Sequence, residues 1–168
     1  MVINKTMNKD HFLRLLESKG TNRIQVNNIL SAVCIGVLSF LLFSNIRINP
    51  WVVGQLSIAV PLLITSSLAY AKVCYRHQEA KYWDMFGWLT HSVGYVMILN
   101  SITIYIYEQS ESRVAWLFVI MVVILFIFYS FLDIILKRKR LVEKVLKLLF
   151  YLLLLLAGSI MPILLKLI

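Results

Sequence analysis

The chain has 168 residues, enough for one domain, but 60% of them are hydrophobic and the mean hydropathy is +0.81, which lies outside the range of soluble domains. Its formal net charge of +9 would fit nucleic acid only if the cations accompanied an aromatic platform or groove, and they do not, so no nucleic-acid partner is expected. Two cysteines exclude a disulfide framework; Cys34 and Cys74 both fall toward the side read below as cytosolic, where thiols stay reduced.

Apolar runs at about 29–46, 50–71, 86–107, 114–136 and 148–165 each approach the roughly 20 residues a helix needs to cross a bilayer. The connecting segments alternate in charge. Lys5, Lys9, Arg14, Lys19 and Arg23, then Lys72, Arg76 and Lys81, then Lys137, Arg138, Lys139, Arg140, Lys144 and Lys147 share one side, against Arg47, Arg113 and Lys166 on the other. Positive charge marks the cytosolic face. The expected fold is therefore all-α, a polytopic bundle of five spans over residues 29–168, N-terminus in and C-terminus out, preceded by a cytosolic amphipathic segment, residues 1–28.

Within that segment, residues 8–19 predict a short helix lying on the inner leaflet. Asn8 is its N-cap, Phe12, Leu15 and Leu16 form its apolar face, and Gly20 stops it. The first apolar run begins only near Ile29, behind these charges, and reads as an uncleaved signal-anchor. Asn22 with Gln25 resembles a capping box that starts span one, and Ala32, Gly36 and Ser39 give that span a small-residue face. The turn from Arg47 to Pro50 is short enough to make spans one and two antiparallel neighbours, with Trp51 at the interface. Span two carries Gly54, Gln55, Ser57, Pro61, Thr65, Ser66 and Ser67. Pro61 should kink it, and carbonyls freed inside a membrane need new donors.

Span three is the stretch that lipid would tolerate least. Gly87, Gly94 and Ser101 recur every seven residues on one stripe with Thr90 and His91 beside it, and Asn100, Thr103 and Tyr107 line another face. A helix with polar groups on two faces needs neighbours on both, so this span is expected at the centre of the bundle and of an oligomer formed through spans two and three. Span four is bulky until Tyr129, Ser130 and Asp133 and reads as the lipid-facing wall. The Lys137, Arg138, Lys139 and Arg140 cluster that follows suits anionic lipid or a cytosolic partner. Span five is leucine-rich, with Ala157, Gly158 and Ser159 ahead of Pro162, and a break is expected near its outer end.

Catalytic motifs are lacking: no HExxH, GxSxG or P-loop occurs, and no enzymatic activity is expected. His77, Asp84 and His91 are spaced by seven, but seven helical residues rise about 10.5 Å and ligands of one zinc ion lie about 2 Å from it. No metal and no cofactor is expected. His91 is an ionisable group within a span, a position that is costly and faces a bundle interior; a structural hydrogen bond explains it as well as a function does. External turns are too short for a receptor surface, whereas the cytosolic side offers three longer segments. Two functions compete. One is a non-enzymatic membrane subunit, a homo-oligomeric anchor or sensor in a bacterial inner membrane that holds a cytosolic partner through its basic inner face, by architectural analogy with small multi-span subunits of bacterial signalling and anti-phage defence. The other is a small homo-oligomeric channel lined by Ser57, Thr65, His91, Asn100 and Thr103, with Gly36, Gly54, Pro61, Gly87, Gly94 and Ser101 as packing positions.

Overall fold

A computed structural model describes residues 3–43, 48–75, 79–110, 112–136 and 141–165; for residues 3–16, 133 and 136 it describes the backbone alone. All regular structure among the described residues is helical. Helix α1 runs Ile3–Phe43, α2 Pro50–Tyr75, α3 Ala80–Gln109, α4 Ser112–Leu136 and α5 Leu141–Leu155; α5 continues through a π-turn, Leu156–Ile160, into α6, Met161–Leu164. Among the described residues, five stretches are long and apolar enough to cross a membrane: Glu17–Phe43, Pro50–Tyr75, Ala80–Gln109, Ser112–Leu132 and Leu141–Leu164.

Helix α3 occupies the centre. Its most extensive contact is with α2, α1 packs on α2, and α4, α5 and the π-turn pack on α3. The seven-residue stripe explains the close fit to α2. A Cβ at Gly87 would lie 3.1 Å from the Tyr70 ring, and one at Gly94 would lie 3.1 Å from Leu63 Cγ and 3.3 Å from the Ala59 carbonyl oxygen. Ser101 Oγ comes within 3.4 Å of the Val52 carbonyl oxygen. Small residues at these three levels let the two backbones approach along the whole crossing. On the other side of α3, Asn100 meets the π-turn. Both polar faces of α3 thus find neighbours within one chain, and those faces alone do not demand a second copy.

Two helix boundaries depart from expectation. Gly20 does not stop a helix: α1 is continuous for 41 residues, so residues 8–19 are its first turns rather than a separate surface helix, and no cap forms at Asn22. Gly20 instead marks the approach of α1 to α2, where a Cβ would lie 2.6 Å from Cys74 Sγ and 3.3 Å from the Tyr70 carbonyl oxygen. Its missing side chain serves contact, not chain reversal. At the other end of the sequence, residues 141–147 belong to α5, where Lys147 Nζ meets Glu143 Oε1 at 2.8 Å across one turn.

Several small or polar positions face differently from expectation. Gly36 and Gly54 have nothing within 4 Å of where a Cβ would be, and Ala32, Gly36 and Ser39 are all exposed. Helix α1 turns Asn27, Ser31 and Cys34 toward the bundle instead, and Asn27 finds hydrogen-bond partners on α2 and α3 there. Ser57 and Pro61 lie on the exposed face of α2, which stays helical through Pro61; neither belongs to the bundle interior. Cys34 packs with Leu41, Val52, Leu56 and Ile104, toward the Pro50 end of α2 rather than the end assigned to the cytosol, and both cysteines are free thiols. Helix α4 turns Leu117, Ile120, Met121, Ile124, Leu125 and Phe128 outward, as a hydrocarbon-facing wall does. Asparagine and proline start α2: Asn49 Oδ1 accepts the Trp51 N–H at 2.9 Å and Pro50 follows at the first helical position. The Asn49 amide also donates to Glu108 Oε1 at 2.7 Å, tying the start of α2 to the end of α3.

Candidate functional site

Polar side chains collect in two layers, one near the Tyr75 end of α2 and one near its Pro50 end. The first layer joins three helices through one amide. Ser66 Oγ donates to the Gly87 carbonyl oxygen at 2.7 Å. A carbonyl only accepts, so the hydroxyl is spent as a donor there and receives the Asn27 Nδ2–H, 2.9 Å away. That orients the Asn27 amide and leaves its Oδ1 facing His91 Nδ1 at 2.6 Å. An amide oxygen cannot donate, so the imidazole carries a proton on Nδ1. The ring stacks on Tyr95 one turn later, with centroids 6.1 Å apart and planes 10° apart. Asn27, wholly buried, is the hub: α1, α2 and α3 meet through it.

Charged and aromatic groups ring this layer. Arg23 donates to the Tyr70 hydroxyl at 2.8 Å while its guanidinium lies 5.2 Å from the same ring centroid. Ser67 donates to Asn28 Oδ1 at 3.0 Å, and Thr90 Oγ1 bonds back to the Phe86 carbonyl at 2.9 Å. Farther toward the end, Lys19 Nζ bridges both Asp84 oxygens at 2.8 and 2.9 Å and Lys72 lies 3.8 Å over the Trp83 ring. Because the Lys19 and Asp84 side chains are 46% and 36% exposed, Lys19→Met is expected to change stability by less than about 1 kcal/mol, measured by denaturant titration in micelles. A larger loss would mean that this pair fixes the angle of α1.

The second layer is built around Pro162. Proline has no N–H, so the carbonyl four residues earlier, that of Gly158, loses its α-helical donor. Gln55 Nε2 supplies one from α2 at 2.7 Å. Asn100 Nδ2 donates to the Leu154 carbonyl at 3.2 Å and Ser159 Oγ to the Leu155 carbonyl at 3.0 Å. The irregular turn is thus held by side chains, as π-turns inside helices require and as functional sites often use. A cleft of 520 Å³ opens beside it, between α2 and the π-turn, with α3 as its floor. About two turns from Asn100 on the same stripe of α3, Ser92 Oγ and the Tyr151 hydroxyl lie 2.7 Å apart, and Tyr151 packs among Trp88, Phe126 and Phe150.

Of the residues expected to line an interior, His91 is half-buried in the first layer, Asn100 is buried in the second, and Thr103 is buried with its hydroxyl on the Leu99 carbonyl of its own helix. Thr65 is half-buried and Ser57 exposed, so these five do not line one path. Lys137, Arg138, Lys139 and Arg140 lie outside the described residues, as does His77. Among the described residues no three His, Cys, Asp or Glu side chains converge. The hydrogen bond of His91 runs to an amide and not to a hydroxyl or thiol, an arrangement that orders a bundle without generating a nucleophile. Sequence reasoning missed Asn27 and Arg23, placed outside the bilayer because the apolar run starts at Ile29. Their spacing of four with Ser31 is the signal of one helical face that would have found them. Comparison of the chain with protein-family models, curated proteins and solved structures gave no match.

Proposed function

We propose that the chain is a non-enzymatic, multi-pass subunit of a bacterial inner membrane that presents a helical arm and a basic face to a cytosolic partner. The supporting observation is the unbroken α1. Its 41 residues extend about 60 Å at 1.5 Å per residue, twice the roughly 30 Å hydrocarbon thickness. Lys5, Lys9, Asp10, Arg14, Glu17, Lys19 and Arg23 precede the apolar run that starts near Ile29, too many charges for hydrocarbon, so the first turns of this helix continue the crossing past the membrane. A helix continuous with a span projects; it does not lie on the surface. Gly20 against Cys74 and Lys19 against Asp84 hold its base to α2 and α3. Phe12, Leu15 and Leu16, apolar at helical spacing in the sequence, are the residues a partner would contact in groove-binding fashion, with Lys137 to Arg140 contributing charge toward the partner or anionic lipid.

The channel reading draws less support. His91, Asn100 and Thr103 bond to another side chain or to backbone, Ser57 is exposed, and between the layers Leu63, Ala59 and Val96, all at 0% exposure, fill the level of Gly94. In-membrane cross-linking followed by affinity capture discriminates the two. The full chain should retain a soluble protein in stoichiometric amount, and Leu15→Lys with Leu16→Lys should lose it while membrane insertion is unchanged. Ion currents from the purified chain in liposomes, altered by Asn100→Leu, together with no retained soluble protein, would overturn the anchor.

A further inference from the structure

We propose that Arg23 and Lys147 hold the phosphate of an anionic membrane lipid, a phosphodiester of the phosphatidylglycerol class, between α1 and α5 and over Trp88 of α3. The site is separate from the Lys137–Arg140 cluster and stands whether or not the helical arm holds a partner. Helices α1 and α5 both attach to α3 and share no extensive contact with each other. The bridges from α1 fix the level. Lys19 pairs with Asp84 and Asn27 with His91, 65 and 64 positions on, so Arg23, midway between them, stands level with Gly87 and Trp88. From α5, Lys147 Nζ lies 4.9 Å from the Trp88 ring centroid. The two cations therefore flank one level of α3. Round that helix, Trp88 follows Asp84 and Tyr95 follows His91 by four residues, which turns both rings about 40° away from α1, toward Ser92 and its partner Tyr151. Trp88, His91 and Tyr95 are all half-buried, bordered by neighbours and not covered by them. The Arg23 charge is felt at Tyr151, one turn beyond Lys147 on the same face of α5.

Charge decides the ligand. Arg23 is half-buried and spends one N–H on the Tyr70 hydroxyl, which leaves four of its five donors. Among the described residues no carboxylate pairs with it. Both Asp84 oxygens are taken by Lys19 at 2.8 and 2.9 Å, and Glu143 Oε1 by Lys147 at 2.8 Å. A half-buried cation with no counter-ion calls for one, and a guanidinium fork grips a phosphate with two parallel bonds. Lys147, whose side chain is 39% exposed, has further N–H groups to add from the opposite wall. Depth decides the source. Arg23 stands six residues before Ile29, where the apolar run begins, or about 9 Å along the helix, and tryptophans such as Trp83 and Trp88 settle at the same interface. Lipid phosphates occupy that layer. A choline or ethanolamine head would return a cation to Arg23, so the fit is to a lipid whose head keeps its net negative charge.

The test is native mass spectrometry of the full chain released from nanodiscs that hold phosphatidylglycerol and phosphatidylcholine of one chain length in equal amounts. The parent chain should retain one phosphatidylglycerol, with about tenfold preference over phosphatidylcholine. Arg23→Gln should weaken that retention about tenfold and Lys147→Gln about fivefold. Lys72→Gln removes an equal charge from over the Trp83 ring, about 140° round α3 from Trp88, and should leave retention unchanged. Should Arg23→Gln fold poorly, Arg23→Lys takes its place: it keeps the charge, loses the fork and should still bind more weakly than the parent. Equal retention of the two lipids, or equal losses in Arg23→Gln and Lys72→Gln, would overturn the site. Displacement of the lipid by water-soluble glycerophosphoglycerol as readily as by intact phosphatidylglycerol would overturn the membrane as the source of the phosphate.

Discussion

Gly158→Ala is expected to lower stability by about 3 kcal/mol, although alanine is the better helix former by about 1 kcal/mol. The sign is decided by space. A Cβ at Gly158 would collide with Asn100 Nδ2 and lie 2.8 Å from its Cγ, and Asn100 cannot swing away without releasing the Leu154 carbonyl. Overpacking costs about 1–3 kcal/mol, and the lost bond from Asn100 costs about a further 1 kcal/mol. The shift also endangers the bond from Gln55 to the Gly158 carbonyl, which ties α2 to the π-turn. Gly36→Ala is the matched control. A Cβ there would meet nothing within 4 Å, so propensity acts alone and that variant should be neutral or stabilised by up to about 1 kcal/mol. Unfolding in mixed micelles by detergent titration measures both. If the two alanine variants unfold together, the π-turn is not packed on Asn100. Gly158→Ala combined with Asn100→Ala should recover part of the loss, since the colliding group is gone.

The same contrast between Gly36 and Gly158 shows where sequence reasoning works and where it stops. Periodicity on α3 was legible because both faces are written in one helix: Gly87, Gly94 and Ser101 at intervals of seven, Asn100 and Thr103 opposite. Which helix meets which face was not legible, and the neighbours turn out to belong to the same chain. Glycine on its own is ambiguous. Gly20 resembles a helix stop, yet it permits α1 to touch Cys74; Gly36 resembles a packing notch, yet α1 faces the bundle with Asn27 and Ser31. Hydropathy set the first span at Ile29 because Arg23, Asn27 and Asn28 depress the local average. Those residues find partners on α2 and α3, between 39 and 64 positions away in sequence, and a window along the chain cannot see them. Pro162 announced a break. That Gln55, 103 positions before Gly158, would answer the carbonyl it frees is a fact of tertiary structure only.

Asn27→Leu should cost about 2–4 kcal/mol and should alter the histidine that Asn27 faces. The leucine fills similar volume at a site of 0% exposure, so the loss is electrostatic rather than a cavity. Ser66 keeps its acceptor at Gly87 but loses the incoming Asn27 donor, a loss of about 1 kcal/mol for a hydrogen bond between helices in a membrane. His91 loses more, because its Nδ1–H then has no acceptor in a half-buried position, at about 1–3 kcal/mol. Asn27 is the only described residue that hydrogen-bonds to both α2 and α3 from α1, so the variant should also loosen the first helix before the rest of the bundle, visible as faster hydrogen exchange in α1 than in α4. Nitrogen chemical shifts of labelled histidine supply a readout that a general loss of packing would not reproduce. In the parent chain Nδ1 should carry the proton and Nε2 should not, whereas in Asn27→Leu that preference should fade. The double variant Asn27→Leu with His91→Leu should lose less than the two single losses added, by about 1 kcal/mol, because the stranded N–H is removed with its ring. Additive losses with unchanged nitrogen shifts would show that the 2.6 Å contact does not hold the two helices together.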